Sequence, residues 1–129
     1  MIELRLSISL PCPQNQLYRA FIGRGMKIPR TIVSARARKL KQLVVGELLV
    51  QLQRRAKPVI TKLCSLDYMV TFPDKRARDL DCYEKQLLDS LQAAGVVAND
   101  KLFVQITKQS HPLPSKPGGI TMTIVELPS

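Results

Sequence analysis

The sequence has one histidine, His111, and three cysteines, Cys12, Cys64 and Cys82, with no CxxC pair among them. That excludes a zinc site or a disulfide framework of the usual spacing and points to a reducing compartment. No apolar run approaches the roughly 20 residues that span a bilayer. The opening segment, Met1 to Leu10, carries Glu3 and Arg5 inside an alternating pattern, unlike the apolar stretch of a signal peptide. A soluble, cytoplasmic protein without membrane association is expected. Internal repeats and low-complexity segments are absent. Acids are scarce: ten Asp and Glu stand against twenty Lys and Arg, a formal charge of +10. Such a balance says nothing about fold but favours a polyanionic partner.

What is present suffices for one folded unit. The 129 residues are 45% hydrophobic, enough to build a core and too many for an intrinsically disordered chain. A single domain over 1–129 is expected. The positive charge is concentrated. Between Arg19 and Lys62 there are twelve basic residues and one acid, Glu47; the rest of the chain holds eight basic and nine acidic residues. A solvated helix face is the plain explanation of a charge run. A self-repelling stretch with one acid favours phosphate contact instead.

Periodicity gives the element order. Ile2, Leu4, Leu6, Ile8 and Leu10 alternate with polar residues, which reads as a strand with one buried face, ended by Pro11 and Pro13. Residues from about Gln14 to Pro29 hold Gly23 and Gly25 among basic residues and read as a loop. From Thr31 to about Arg55, Val33, Ala37, Leu40, Val44 and Leu48 recur at helical spacing, and Pro58 stops the run. Leu63 to Phe72 reads as a second strand and Asp79 to Ala94 as a second helix, with Gly95 where a left-handed C-terminal residue belongs. Leu102 to Lys108 and Ile120 to Leu127 are a third and a fourth strand. The class is α/β (α+β), order βαβαββ, with two helices packed on a mixed sheet.

In so basic a chain the placement of acids is informative. Asp79 and Asp81 precede the second helix and Asp100 follows it. If the second and third strands run antiparallel, the three carboxylates share one cleft, where they would repel one another unless a cation lies among them. Magnesium, which prefers oxygen ligands, suits such a set and would support phosphodiester hydrolysis. Lys85 lies four residues after Asp81 and would stabilise charge on a phosphate. Each acid also has an ordinary reading: Asp79 as a helix N-cap, Asp81 as a first-turn acid paired with Lys85, Asp100 as a turn residue.

The stretch Arg78-Asp79-Leu80-Asp81, then Lys85, then Leu88-Asp89-Ser90-Leu91 and Ala94-Gly95-Val96, then Asp100, resembles the RusA family of Holliday-junction resolvases. Lys116-Pro117-Gly118-Gly119 and the strand after it resemble that family's closing turn. Leu10-Pro11-Cys12-Pro13, Asn15 and Tyr18-Arg19 look like its opening. The resemblance implies a homodimeric, magnesium-dependent endodeoxyribonuclease, with manganese as a possible substitute and no small-molecule cofactor. Such enzymes, common in phages and prophages, make paired nicks in branched (four-way) DNA during recombination and repair. It implies metal ligation by Asp79, Asp81 and Asp100 and a catalytic role for them and for Lys85. The DNA contacts expected on this reading are Tyr18, Arg19, Arg24, Lys27 and Arg30 from the loop region. Arg36 and Lys39 would add contacts from the first helix, and Lys75, Arg76 and Arg78 from the segment before the acids. The chain departs from the family at Cys12, at Cys82 and at Asn99, whose amide is a weaker ligand than a carboxylate and weighs against a second metal. The alternative is a basic nucleic-acid-binding protein without catalysis.

Overall fold

The computed structural model describes residues 2–21, 24–25, 30–53 and 58–128. The alternation at the start of the chain becomes strand β1 (Glu3–Ile8), whose Leu4, Leu6 and Ile8 are buried while Glu3, Arg5 and Ser7 are exposed. Two short strands follow, β2 (Tyr18–Phe21) and β3 (Arg30–Val33), paired antiparallel as a separate ribbon. Helix α1 (Ala35–Gln51), strand β4 (Cys64–Thr71), helix α2 (Glu84–Ala93) and strands β5 (Phe103–Ser110) and β6 (Gly119–Glu126) complete the order. The main sheet runs β1-β6-β4-β5. β6 is antiparallel to both its neighbours, and β4 and β5 are parallel. The expected mixed sheet with two helices is therefore present.

Register stacks the apolar residues in rows across the sheet. Leu4, Ile124, Leu66 and Ile106 face one another in turn, as do Ile8, Ile120 and Val70. These rows join Val44 and Leu48 of α1 and Leu87 and Leu91 of α2 in one core. Each fully buried Leu, Ile or Val contributes about 1.5–3 kcal/mol before the entropy of ordering is counted. The opposite sheet face is polar, presenting Arg5, Ser7, Asp67, Thr107, Thr121 and Thr123.

Glu47, the one acid of the basic stretch, has a structural duty. Its carboxylate accepts from the Ser9 amide at 2.9 Å and the Ser9 hydroxyl at 2.8 Å. One turn on, Gln51 bonds both the amide and the carbonyl of Ser7. Together they satisfy the outer edge of β1, which would otherwise present unpaired backbone groups.

Three expectations change. The sequence predicts a loop before the first helix and a helix that begins at Thr31. Instead Thr31-Ile32-Val33 pair as β3, and Ser34 caps α1, its hydroxyl accepting from the Ala37 amide at 3.0 Å. β-branched residues favour a strand, and Ser stops helix extension backward. The second helix begins at Glu84 rather than Asp79, because residues 80–83 form turns closed by Cys82 N–H to Asp79 carbonyl and Glu84 N–H to Asp81 carbonyl bonds. Third, β4 and β5 are parallel, with α2 serving as the crossover that such a pair needs. Gly95 does adopt a left-handed φ of 79°.

Candidate active site

The start of α2 is fixed from two sides. Gln86, 3% exposed, accepts from the Cys12 amide at 2.6 Å and donates to the Ala37 carbonyl at 2.9 Å. It thereby ties the proline-rich segment after β1 and the first turn of α1 to α2. The Gln14 amide adds a bond to the Cys82 carbonyl at 2.8 Å. Cys12 is fully buried beside Leu17 and Ala37, so a small apolar side chain fits there.

Two concavities open on this junction. The larger, about 970 Å³, lies between α1, the segment after β1 and the segment before α2; Arg36, Arg76, Arg78, Asp79 and Asp81 line it. The smaller, about 270 Å³, runs along α2 and is lined by Asp81, Glu84, Lys85, Asp89 and Asp100. Asp81 and Gln14 border both.

Of the ordinary readings, that of Asp100 holds, since it opens a 3-10 turn capped by Asn99, whereas those of Asp79 and Asp81 do not. The N-cap position of α2 is Tyr83, without a side-chain cap bond. Asp81 and Lys85 form no ion pair within 4.0 Å. Among the described residues, the side chains of Asp79, Asp81, Asp100 and Lys85 make no hydrogen bond or salt bridge; the ion pairs present are Arg5–Glu3, Lys62–Glu126, Arg76–Asp74, Arg78–Asp74 and Lys108–Glu84. Asn99, by contrast, is engaged: its side chain accepts from the Lys101 amide at 2.9 Å.

The three acids do not converge as expected. Asp100 follows the last turn of α2, where its amide donates to the Gln92 side chain at 3.1 Å, whereas Asp81 precedes the first. Both carboxylates nevertheless line the one concavity of about 270 Å³, together with Lys85. Asp79 faces the larger cleft. Among the described residues no three His, Cys, Asp or Glu side chains gather closely enough to enclose a cation. The donor chemistry still fits magnesium. Asp79 and Asp81 offer only hard oxygen atoms, both line one cleft, and this ion keeps several waters and shares substrate phosphates rather than needing a closed cage.

The expected DNA contacts divide. Arg36 and Arg76 are exposed at the larger cleft, and Arg36 donates to the Gln16 side chain. Tyr18, Arg24, Lys39 and Lys75 are exposed away from it. Arg19 and Arg30 contribute their backbones to the β2–β3 pair, and Lys27 lies outside the described residues. Arg78 is occupied: its guanidinium donates to both Asp74 oxygens at 2.7 and 3.2 Å and stacks 5.5 Å from the Phe72 ring centre. That pairing holds the Asp74 carboxyl down to about 2, with the Arg76 amide assisting. Sequence reasoning missed Glu84, which lines the groove while accepting from Tyr68 and Lys108. Its signal was a carboxylate directly beside the lysine singled out.

Fold and site together define a small, strongly basic α+β protein whose cationic surface is opened by an acid-lined cleft. No family model matches the chain. It is 36% identical over 107 residues to the crossover junction endodeoxyribonuclease RusA of Aquifex aeolicus (strain VF5), a match covering 81% of this chain and 76% of that protein. The chain belongs to the RusA family.

Proposed function

We propose that this protein is a structure-selective endodeoxyribonuclease that resolves four-way DNA junctions by metal-dependent phosphodiester hydrolysis. The observation that carries the reading is a set of groups without a partner among the described residues, Asp79, Asp81, Lys85 and Asp100, bordering two adjoining concavities on a strongly basic chain. The Aquifex relative's name supplies the substrate class. Asp79, Asp81 and Asp100 are the carboxylates available to hold magnesium, or manganese in its place. The bound ion would supply Lewis-acid polarisation of the phosphate and an activated water.

The chain's own residues do the rest. The Lys85 ammonium, without a carboxylate partner among the described residues, is available to the negative charge that grows on phosphorus-bound oxygens. Arg36 and Arg76 border the larger cleft and would neutralise phosphates flanking the cut, so binding should weaken steeply with salt. Arg78 serves this reading through Asp74, by holding the segment that presents Asp79 and Asp81. A two-fold dimer would present one site to each of two opposed strands of a junction, giving paired nicks.

The test is incubation with a synthetic four-way junction, with and without magnesium, for the wild-type chain and Asp81→Asn. Paired nicks that need the metal, lost in Asp81→Asn while junction binding persists, are the expected result. Wild-type nicking rates in Asp81→Asn would remove the metal-ligand assignment. Binding without any nicking would leave a non-catalytic nucleic-acid binder.

A further inference from the structure

Glu84 opens α2 immediately before Lys85 and lines the same groove. Two side chains of the sheet hold it. Tyr68 and Lys108 are register partners across the parallel β4–β5 pair, so they leave the sheet side by side on the face that α2 covers. The Tyr68 hydroxyl donates to Glu84 Oε1 at 2.8 Å, and the Lys108 ammonium donates to that same oxygen at 2.8 Å. Tyr68 is 3% exposed; the Glu84 and Lys108 side chains are 23% and 31% exposed. A carboxylate has roughly four acceptor positions on two oxygens, yet both donors converge on one. Among the described residues Oε2 takes no hydrogen bond.

The result is a carboxylate with one oxygen clamped and the other unspent, on a residue that borders the groove. An ion pair serving only to tie α2 to the edge of the sheet has no need of a groove-lining position between Asp81 and Lys85. Clamping before substrate arrives also removes much of the rotamer entropy that a free glutamate would lose on engaging it.

We propose that Glu84 is a further catalytic residue, whose Oε2 accepts a hydrogen bond from the water that attacks the phosphodiester, and that Tyr68 and Lys108 are its positioning residues. The proposal rests on the nuclease reading above and deepens it. In the step, the water oxygen bonds to phosphorus while one water proton passes to Oε2. The bond from phosphorus to the leaving sugar oxygen breaks, and that oxygen takes a proton from solvent. Glu84 then returns its proton to solvent, and nothing is oxidised or reduced. Lys85, the next residue, lies in the same groove with its charge available to the phosphate.

The experiment measures single-turnover nicking of a synthetic four-way junction with magnesium, junction affinity without it, and thermal melting, all on the full chain. Glu84→Gln keeps an acceptor for both Tyr68 and Lys108 and removes the charge. Its nicking rate is expected to fall about 100-fold, with junction affinity and melting temperature close to those of the wild type. Lys108→Met is expected to lose about tenfold in rate and Lys108→Arg to retain most of it, a pattern that positioning predicts and bulk stability does not. A Glu84→Gln rate within about threefold of wild type, under conditions where Asp81→Asn is inactive, overturns this proposal alone. So does a rate loss matched by an equal loss of junction affinity or by unfolding. If Glu84→Gln does not fold, unchanged rates in both Tyr68→Phe and Lys108→Met overturn it instead. A wild-type chain that nicks no junction overturns the nuclease reading, and this proposal with it.

Discussion

Gly118→Ala isolates the tightest packing constraint near the site. Gly118 follows Lys116-Pro117, whose peptide bond is cis, and has φ of +82°, a region that costs an L side chain about 1–2 kcal/mol. A Cβ there would stand 2.7 Å from Leu10 Cδ1, 2.8 Å from the Thr71 carbonyl oxygen and 3.2 Å from Pro73 Cδ. The Leu10 methyl can rotate away. The Thr71 carbonyl cannot, because β4 and β6 are paired at that point, Thr71 to Gly119. Overpacking of this kind costs about 1–3 kcal/mol. Together the two effects give a loss of roughly 2–5 kcal/mol, a large share of the 5–15 kcal/mol typical of a domain. At about 4 °C per kcal/mol for a chain of this size, melting should fall by roughly 8–20 °C. The control is Gly46→Ala, inside α1, where a Cβ meets nothing within 4 Å. That change should stabilise by up to about 1 kcal/mol through helix propensity alone. Thermal denaturation of the two variants beside the wild type decides. A Gly118→Ala melting point within about 2 °C of wild type would refute the packing argument.

Two further outcomes follow from the bonds around α2. Gln86→Leu leaves the buried Cys12 amide without its partner and removes the bond that the Ala37 carbonyl takes beyond its helical one, which should cost about 1–3 kcal/mol in urea unfolding; a change under about 0.5 kcal/mol would show that the amide finds another partner. The Asp74 carboxyl, held down to about 2 from an ordinary 3.8 by the Arg78 guanidinium, contributes stability that is fully present above its unfolded value and disappears as pH falls through its folded one. The stability gap between wild type and Asp74→Asn should therefore be open near pH 6 and close near pH 2; a gap independent of pH would assign the pair no charge-dependent role.

Much of the fold was legible because the main strands alternate cleanly. Leu4, Leu6 and Ile8, and Leu66, Tyr68 and Val70, had to share a face, and each set is buried. The β2–β3 ribbon was not legible. Its four-residue strands carry basic side chains in place of a clear period of two, and only Thr31-Ile32-Val33 gave a β signal, overridden by continuity with the helical spacing after it. The extra turns before α2 were hidden for a related reason: Leu80 and Tyr83 fit the helical stripe of Leu87 and Leu91, and periodicity does not separate a helix from turns that lead into it.

The site was legible in its residues and not in its geometry. Spacing and resemblance brought out Asp79, Asp81, Lys85 and Asp100, and none of those side chains is spent on a structural partner among the described residues. What sequence could not supply was the relative direction of β4 and β5. The two strands pair in parallel, and Asp81 and Asp100 line one groove along α2 without closing on a cation with Asp79 among the described residues. The same pairing sets Tyr68 beside Lys108 and so brings two donors to one oxygen of Glu84. The topology that spreads the expected acids along the groove also clamps an unexpected one next to the lysine. Substitutions at Asp81, Glu84, Lys85 and Asp100 should therefore all act on the one groove they line.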